Sequence, residues 1–351
     1  MKFNKEQIAC FSDIHIGVHQ ASSMWHTISL NYARWLRDVL KERGIKDIVI
    51  PGDVLDDRNE IAVTTLHYLP QFFRIFEEFN IIIVVGNHDC YYSKRSDVHS
   101  LETLDEWPNI TVIDSLTTVT LHEKVISFCP WHTPIEDIPQ SDIIFGHFDI
   151  QSFKMAGYKV NEHGVRSADL LNKASLIVTG HYHLTQDRVY KNGKILYLGS
   201  PYQLNWGEAE TPKGVYIIDI DTNDTSLITN DVSPKHKKIL LSELLAIGKL
   251  TKEIQDEFNG NIIKFVVDVD ASQRTIDELV KKFYLLKPLE LKIEYEYTQR
   301  FDLEDHEMEF QGVDVRSDMT EFVKTLEGIE IKEEVINYLI DIYERAEVLV
   351  T

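Results

Sequence analysis

Thiols are scarce in this chain. Three cysteines occur among 351 residues, at positions 10, 90 and 129, with no paired spacing. That excludes a disulfide-stapled scaffold and a thiolate zinc knot, and it fits a reducing cytosol. Cys10 and Cys129 fall in apolar runs and read as buried hydrophobes, whereas Cys90 reads as incidental. Long apolar runs are missing too. None reaches the 18 residues of a membrane-helix candidate, and Met1-Lys2-Phe3-Asn4-Lys5-Glu6 leads into a strand pattern without a signal-peptide core. A cytoplasmic location with no membrane partner is expected.

Positive charge is the third shortage. Lys and Arg number 36 against 57 Asp and Glu, a formal charge of −21. No basic block of the kind that releases counterions from nucleic acid stands out. The excess is uneven, however: residues 301–351 hold 15 Asp and Glu against 4 Lys and Arg, about half of the total. Lys94, Arg95, Lys154, Lys159 and Arg166 are the candidate phosphate contacts outside that segment.

What is present is a series of five apolar, β-rich runs, each ending in a small polar signature. Ile8-Ala9-Cys10-Phe11 leads to Asp13-Ile14-His15, Ile48-Val49-Ile50 to Gly52-Asp53, and Ile81 to Val85 to Gly86-Asn87-His88-Asp89. Ile143-Ile144-Phe145 leads to Gly146-His147, and Leu176-Ile177-Val178 to Gly180-His181-Tyr182-His183. Short bounded runs of this kind read as buried strands. Open α/β sheets build their sites beyond the carboxyl ends of such strands. Imidazole, carboxylate and amide without thiolate suit harder transition metals such as manganese. A two-metal hydrolase, with sites about 3.5–4 Å apart, is the chemistry such a cluster serves. Asp53, the central carboxylate, is the candidate bridge because a bridging ligand needs two donor oxygens.

The ordered set Asp-x-His, Gly-Asp, Gly-Asn-His-Asp, Gly-His, Gly-His-x-His resembles that of the calcineurin-like metallophosphoesterases. Among them the chain is most similar to the SbcD-type nuclease subunits of DNA repair and phage recombination. The stretch from Leu198-Gly199-Ser200-Pro201 to Trp206-Gly207-Glu208, before the strand Gly214-Val215-Tyr216-Ile217-Ile218-Asp219, carries that narrower likeness. The resemblance implies a four-layer α/β/β/α sandwich. It also implies that Asp13, His15, Asp53 and His183 hold one metal, and Asp53, Asn87, His147 and His181 the other. Two Mn²⁺ ions are implied, with Mg²⁺ an alternative. His88 would act on the leaving oxygen, and Asp56 stands where related phosphatases carry a carboxylate that orients this histidine. Asp56-Asp57-Arg58 has one residue too many for the phosphatase pattern, which argues against a phosphoprotein substrate. A phage-encoded chain would work in its host's cytoplasm.

Periodicity sets out the rest. Amphipathic helices are predicted at about 24–43, 62–79 and 99–106, and Asn192-Gly193 signals a hairpin in a second sheet of more antiparallel character. Residues 149–173 read as a loop over the site, with Gly157 and Gly164 as turn points and His163 an exposed bystander. The domains expected are 1–233 for the phosphoesterase, 234–298 for a small α+β cap that engages DNA, 299–317 for an acidic linker, and 318–351 for a helical pair. In the cap a strand (262–269), a helix (275–285) and a strand (289–297) form a β-α-β unit. In the pair, Asp318 and Glu321 form a capping box, and Val335, Ile336, Leu339, Ile340, Ile342, Tyr343 and Ala346 give the second helix a wide apolar face. Two readings stand: helices folded on their own domain, or a docking module. The resemblance favours docking to an SMC-like ATPase, with a homodimer inside the complex. The function expected is Mn-dependent DNA exonuclease and endonuclease activity; the alternative is a small-molecule or nucleotide phosphoesterase with the same centre.

Overall fold

The computed structural model describes residues 6–156, 159–209, 211–248, 250–296, 323–324, 333 and 335–340. The chain divides into two compact units, Met1–Tyr297 and Thr298–Thr351.

Four strands open the first unit: β1 (Gln7–Cys10), β2 (Asp47–Pro51), β3 (Asn80–Val84) and β4 (Ile110–Ile113). They pair in parallel in that order. The chain then begins a second sheet with β5 (Thr117–Leu121), β6 (Lys124–Cys129) and β7 (Ile143–His147). A small ribbon, β8 (Lys154–Ala156) and β9 (Lys159–Val160), precedes β10 (Leu176–Gly180), β11 (Gln186–Tyr190) and β12 (Gly193–Tyr197). The chain returns to the first sheet with β13 (Gly214–Asp219) and β14 (Thr225–Thr229). The finished sheets run β14-β13-β1-β2-β3-β4 and β11-β12-β10-β7-β6-β5.

Alternation along the strands builds the layers. Ile8, Cys10, Val49, Ile82 and Val84 face inward and meet Phe128, Phe145, Leu176, Val178 and Leu196 of the other sheet. Ala9, Phe11, Ile48, Ile50, Ile81 and Ile83 face out, against the helices Ser23–Arg43 and Val63–Arg74. Ile144, Ile177, Ile195 and Tyr197 on the far side pack with Leu170 and Leu171 of the helix Ser167–Leu171. The result is an α/β/β/α sandwich. Strands covered on both faces read as continuous apolar runs, and each fully buried Ile or Phe contributes about 1.5–3 kcal/mol.

The first predicted helix forms nearly as read, the second ends early at Arg74, and the third shrinks to the single turn Glu102–Asp105. The hairpin forms with Tyr190 opposite Gly193, so Lys191-Asn192 is its loop. The second sheet is not the more antiparallel of the two. Each sheet has three parallel and two antiparallel pairings, and in the second the antiparallel ladders lie at the edges. The connection from β7 to β10 includes the helix Ser167–Leu171 and is a crossover, which parallel neighbours require. All three cysteines are buried, and Cys90 donates to the Gly86 carbonyl at 3.1 Å.

A third sheet follows, β15 (His236–Leu240), β16 (Ile262–Val267) and β17 (Glu290–Tyr295), paired in that order. The helix Gln273–Leu285 links β16 to β17, as the β-α-β reading expected, and Leu241–Ile247 and Lys252–Phe258 lie between β15 and β16. All its pairings are parallel, closer to an α/β arrangement than to the α+β expected. Phe258, Phe265 and Phe283 centre a separate core. Of the second unit, residues 323–324, 333 and 335–340 are helical, Val323 is buried and Tyr338 is exposed. The linker 299–317, the capping box at Asp318 and most of the second tail helix lie outside the described residues, as does Gly157.

Candidate metal centre

The donor-bearing loops leave one edge of the sandwich. β1, β2 and β3 are parallel, β7 and β10 are parallel, and Gly180 pairs with His147. The loops turn sharply, since Asp13, His15, Asp53 and His181 have φ of 55°, 49°, 53° and 96°. Left-handed backbone in non-glycine residues carries strain and clusters at functional sites. Two glycines of the signatures are set by close approach. A Cβ on Gly52 (φ 90°) would lie 2.3 Å from Nδ1 of His147, and one on Gly86 would lie 2.4 Å from the Asp53 amide nitrogen.

Seven of the side chains named from the sequence converge. Asp13, His15 and His183 form one group of donors, and Asp53, His147 and His181 another, each within 4.8 Å. Asp53 lies between them: its Oδ2 is 3.8 Å from Nε2 of His15 and 3.3 Å from Nε2 of His147. Asn87 Oδ1 sits 2.8 Å from both His147 Nε2 and His181 Nδ1. Nε2 of His15 and Nε2 of His183 face each other at 3.0 Å.

The second ring of contacts fixes how these groups point. His147 Nδ1 donates to the Pro51 carbonyl at 2.8 Å, which turns Nε2 toward Asp53 and Asn87. His183 Nδ1 lies 3.0 Å from Oε1 of Glu208, which turns its Nε2 toward His15. Glu208 is buried and receives Lys213 Nζ at 2.7 Å, Ser200 Oγ at 2.6 Å and Asn205 Nδ2 at 2.7 Å. Burial opposes the charge, but the His183 and Lys213 contacts hold this carboxyl down at about 2. Asp89 accepts from the amides of Asp53, Val54, Leu55 and Gly86, tying two signature loops together. Neither role was assigned from the sequence. Asp89 stands inside the Gly-Asn-His-Asp signature and Glu208 closes the Leu198–Glu208 stretch, so both had a positional signal. Trp131 had none; its ring lies 5.0 Å from that of His181 and 5.8 Å from that of His147.

His88 and Asp56 border the cluster. The His88 amide donates to Asp53 Oδ1 at 2.8 Å, and its Nδ1 donates to the main-chain carbonyl of Asp56. The expected carboxylate contact to His88 is therefore replaced by a backbone one. The Asp56 carboxylate faces His15 instead, with Oδ1 3.1 Å from Nδ1, a contact poorly directed for a full hydrogen bond. His163 is exposed.

Divalent cations fit these residues. Oδ2 of Asp13 is buried without a hydrogen-bond partner, a costly state for a carboxylate unless a cation meets it. The imidazole lone pairs and carboxylate oxygens form a nitrogen and oxygen donor set on each side of Asp53. Without cations, protons take up part of the attraction. Burial pushes the His147 imidazolium down, yet the Asp53 charge beside it prevails and raises it to about 9. Asp53 itself is held well below the usual carboxylate range, because His147 and His15 outweigh its burial. Burial, with the nearby His147 charge, lowers His181 to about 3.

The calcineurin-like phosphoesterase family matches residues 7–184. Exonuclease subunit 1 of Enterobacteria phage T4 is 24% identical over 358 residues, covering 97% of this chain and 99% of that protein. Among solved structures, an archaeal phosphodiesterase is 13% identical, covers 64% of this chain and 99% of its own, and has a TM-score of 0.36. A dimetal phosphatase from Danio rerio is 10% identical, covers 61% of this chain and 92% of its own, and has a TM-score of 0.39. Among the described residues no helix is long and apolar enough to cross a membrane. With the family's signatures matched over half the chain and its donors gathered at one sheet edge, the protein belongs to the calcineurin-like phosphoesterase family and is a metal-dependent phosphoesterase.

Proposed function

We propose that the chain is the nuclease subunit of a recombination and double-strand-break repair complex. It hydrolyses DNA phosphodiesters as exonuclease and endonuclease, with two divalent cations, Mn²⁺ foremost and Mg²⁺ as substitute. The observation that carries this reading is the convergence of two donor groups on Asp53. The near full-length similarity to a phage exonuclease subunit supports DNA as the substrate.

Asp13, His15, Asp53 and His183 hold one cation; Asp53, Asn87, His147 and His181 hold the other. Bound there, the cations supply Lewis acidity to a phosphoryl oxygen and make water acidic enough to attack near neutral pH. Every other task falls to the protein. Pro51 and Glu208 fix two imidazoles so that their Nε2 atoms face the centre. His88, anchored through Nδ1 to the Asp56 carbonyl, presents Nε2 to the leaving oxygen and delivers its proton. Residues 1–233 carry catalysis, 234–298 cap the substrate, and 318–351 dock an SMC-like ATPase on the tether 299–317, with two copies in the complex.

The test is direct. The purified chain in Mn²⁺ should degrade linear DNA as well as a generic phosphodiester. Hydrolysis of the generic ester alone would leave a phosphoesterase of small substrates. Truncation near Asp314 should keep metal-dependent activity and thermal stability while abolishing pull-down of the ATPase; retained pull-down would place docking elsewhere.

A further inference from the structure

A cleft of about 800 Å³ lies between the second sheet and the third, lined by Lys154, Arg188, Trp206, Lys238 and Lys264. We infer that this cleft binds single-stranded DNA, with Trp206 as the platform for an unpaired base and the four cations along its backbone. This rests on the nuclease reading and goes further, naming the strand state of the substrate and the residues that hold it.

The charge is unusual for this molecule. In a chain of formal charge −21, four cations from β8, β11, β15 and β16 line one recess. Asp187 is the acidic group among its lining residues, and it is paired with Lys194 at 2.7 Å. Lys238 and Lys264 meet Glu296 and Glu294 at 3.1 and 2.9 Å, but both of those carboxylates are solvent-exposed. The Lys238–Glu296 pair is exposed on both sides and worth about 0–1 kcal/mol, so a phosphate can take over that ammonium, whereas Lys264 is largely covered. Lys154 is exposed and meets Gln186 through its main chain, which leaves its ammonium on the surface of the recess.

The recess also has an aromatic wall in Trp206, whose ring centre lies 4.8 Å from Lys264 Nζ. Aromatic faces interleaved with cations are how proteins hold single strands, because every base offers a π-face only when it is unpaired. A duplex keeps its bases stacked on one another, so it offers no free face to Trp206.

Its position connects it to the chemistry. Leu184 and Thr185 of the lining follow the donor His183 directly, and Trp206-Gly207 directly precede Glu208, which orients that donor. A strand seated on Trp206 therefore leads away from the metal centre along covalently adjacent residues.

The experiment uses the full chain in EDTA, so that binding is read without cleavage. A fluorescein-labelled deoxythymidine oligomer of about 15 nucleotides suits the 4–16 nucleotide site sizes of such grooves. It should bind more tightly than a duplex of equal length. Trp206→Ala should weaken it by about 10-fold. The pair Lys154→Ala with Lys238→Ala should lower the slope of log affinity against log salt by about 1.4. The lysine-pair variant should hydrolyse a small phosphodiester in Mn²⁺ at the wild-type rate. Wild-type binding by both variants, or equal binding of single strand and duplex, overturns the inference. Should Trp206→Ala not fold, the lysine pair decides alone. A wild-type chain that hydrolyses the small ester but no DNA sinks the nuclease reading itself, an outcome distinct from DNA cleavage with an inert cleft.

Discussion

The two halves of the metal centre are held by different means. On the His147 side, the imidazole is fixed by a main-chain carbonyl, Pro51, at the end of a buried strand. On the His183 side, the imidazole is fixed by the Glu208 side chain, itself held by Lys213, Ser200 and Asn205. A backbone anchor comes with the sheet and cannot be removed by one substitution. A side-chain anchor can be lost in a single step. The first half is as rigid as the fold; the second depends on a segment, 198–213, that lies outside the five signatures.

The largest expected effect erases the comparison altogether. Asp53 stands between both halves, so on the proposed two-metal reading Asp53→Ala should abolish hydrolysis and lower metal uptake below that of the wild-type chain, since each site loses a ligand. Elemental analysis alongside a phosphodiester assay checks this; normal activity would end the shared-ligand model. Next in size, His88→Asn should lower turnover by about 10²–10⁴ while about two metals stay bound. Metal loss in that variant would make His88 a ligand.

Glu208→Gln sharpens the contrast. Outer-shell partners of a metal-ligating histidine are worth about 10–100-fold in metal affinity. One of two Mn²⁺ binding steps should weaken by that factor in calorimetric titration and the other stay unchanged. Equal weakening of both would show that the halves are not independently supported.

The smallest effect is one of pH. Glu208 is held at about 2 against 4.5 for the free group. A depressed carboxylate stabilises the fold above the unfolded value and loses that contribution as pH falls toward the folded one. The melting temperature of the metal-free protein should exceed that of Glu208→Gln most above pH 4.5, and the gap should close as the pH approaches 2. A constant gap would assign the difference to packing.

Much of this was legible in the sequence because the relevant forces are local. Apolar runs such as Ile81 to Val85 and Leu176 to Val178 mark strands buried on both faces, and glycines mark where backbone must approach a neighbour's ring or amide. The donors Asp13, His15, Asp53, Asn87, His147, His181 and His183 were named from those strand ends, and the structure brings them together. What escaped was set by long-range packing. The parallel core of the second sheet follows from a crossover that the hairpin signal at Asn192 does not report. Trp131 lies beside His147 and His181 although 16 and 50 positions separate them in the chain. Whether Asp56 meets His88 through its carboxylate or its carbonyl is decided by a rotamer and a turn, which spacing does not encode.

The order of the donors along the chain has a consequence for synthesis. The Asp13 carboxylate accepts from the His181 amide across 168 positions, and the Lys213 that braces Glu208 comes later still. At the usual pace of about 5–20 residues per second, on the order of 10 s separates the making of Asp53 from that of His183. Throughout that interval the nascent chain has half a centre and no complete one. The chain therefore gains its hydrolytic chemistry only when its sandwich is complete.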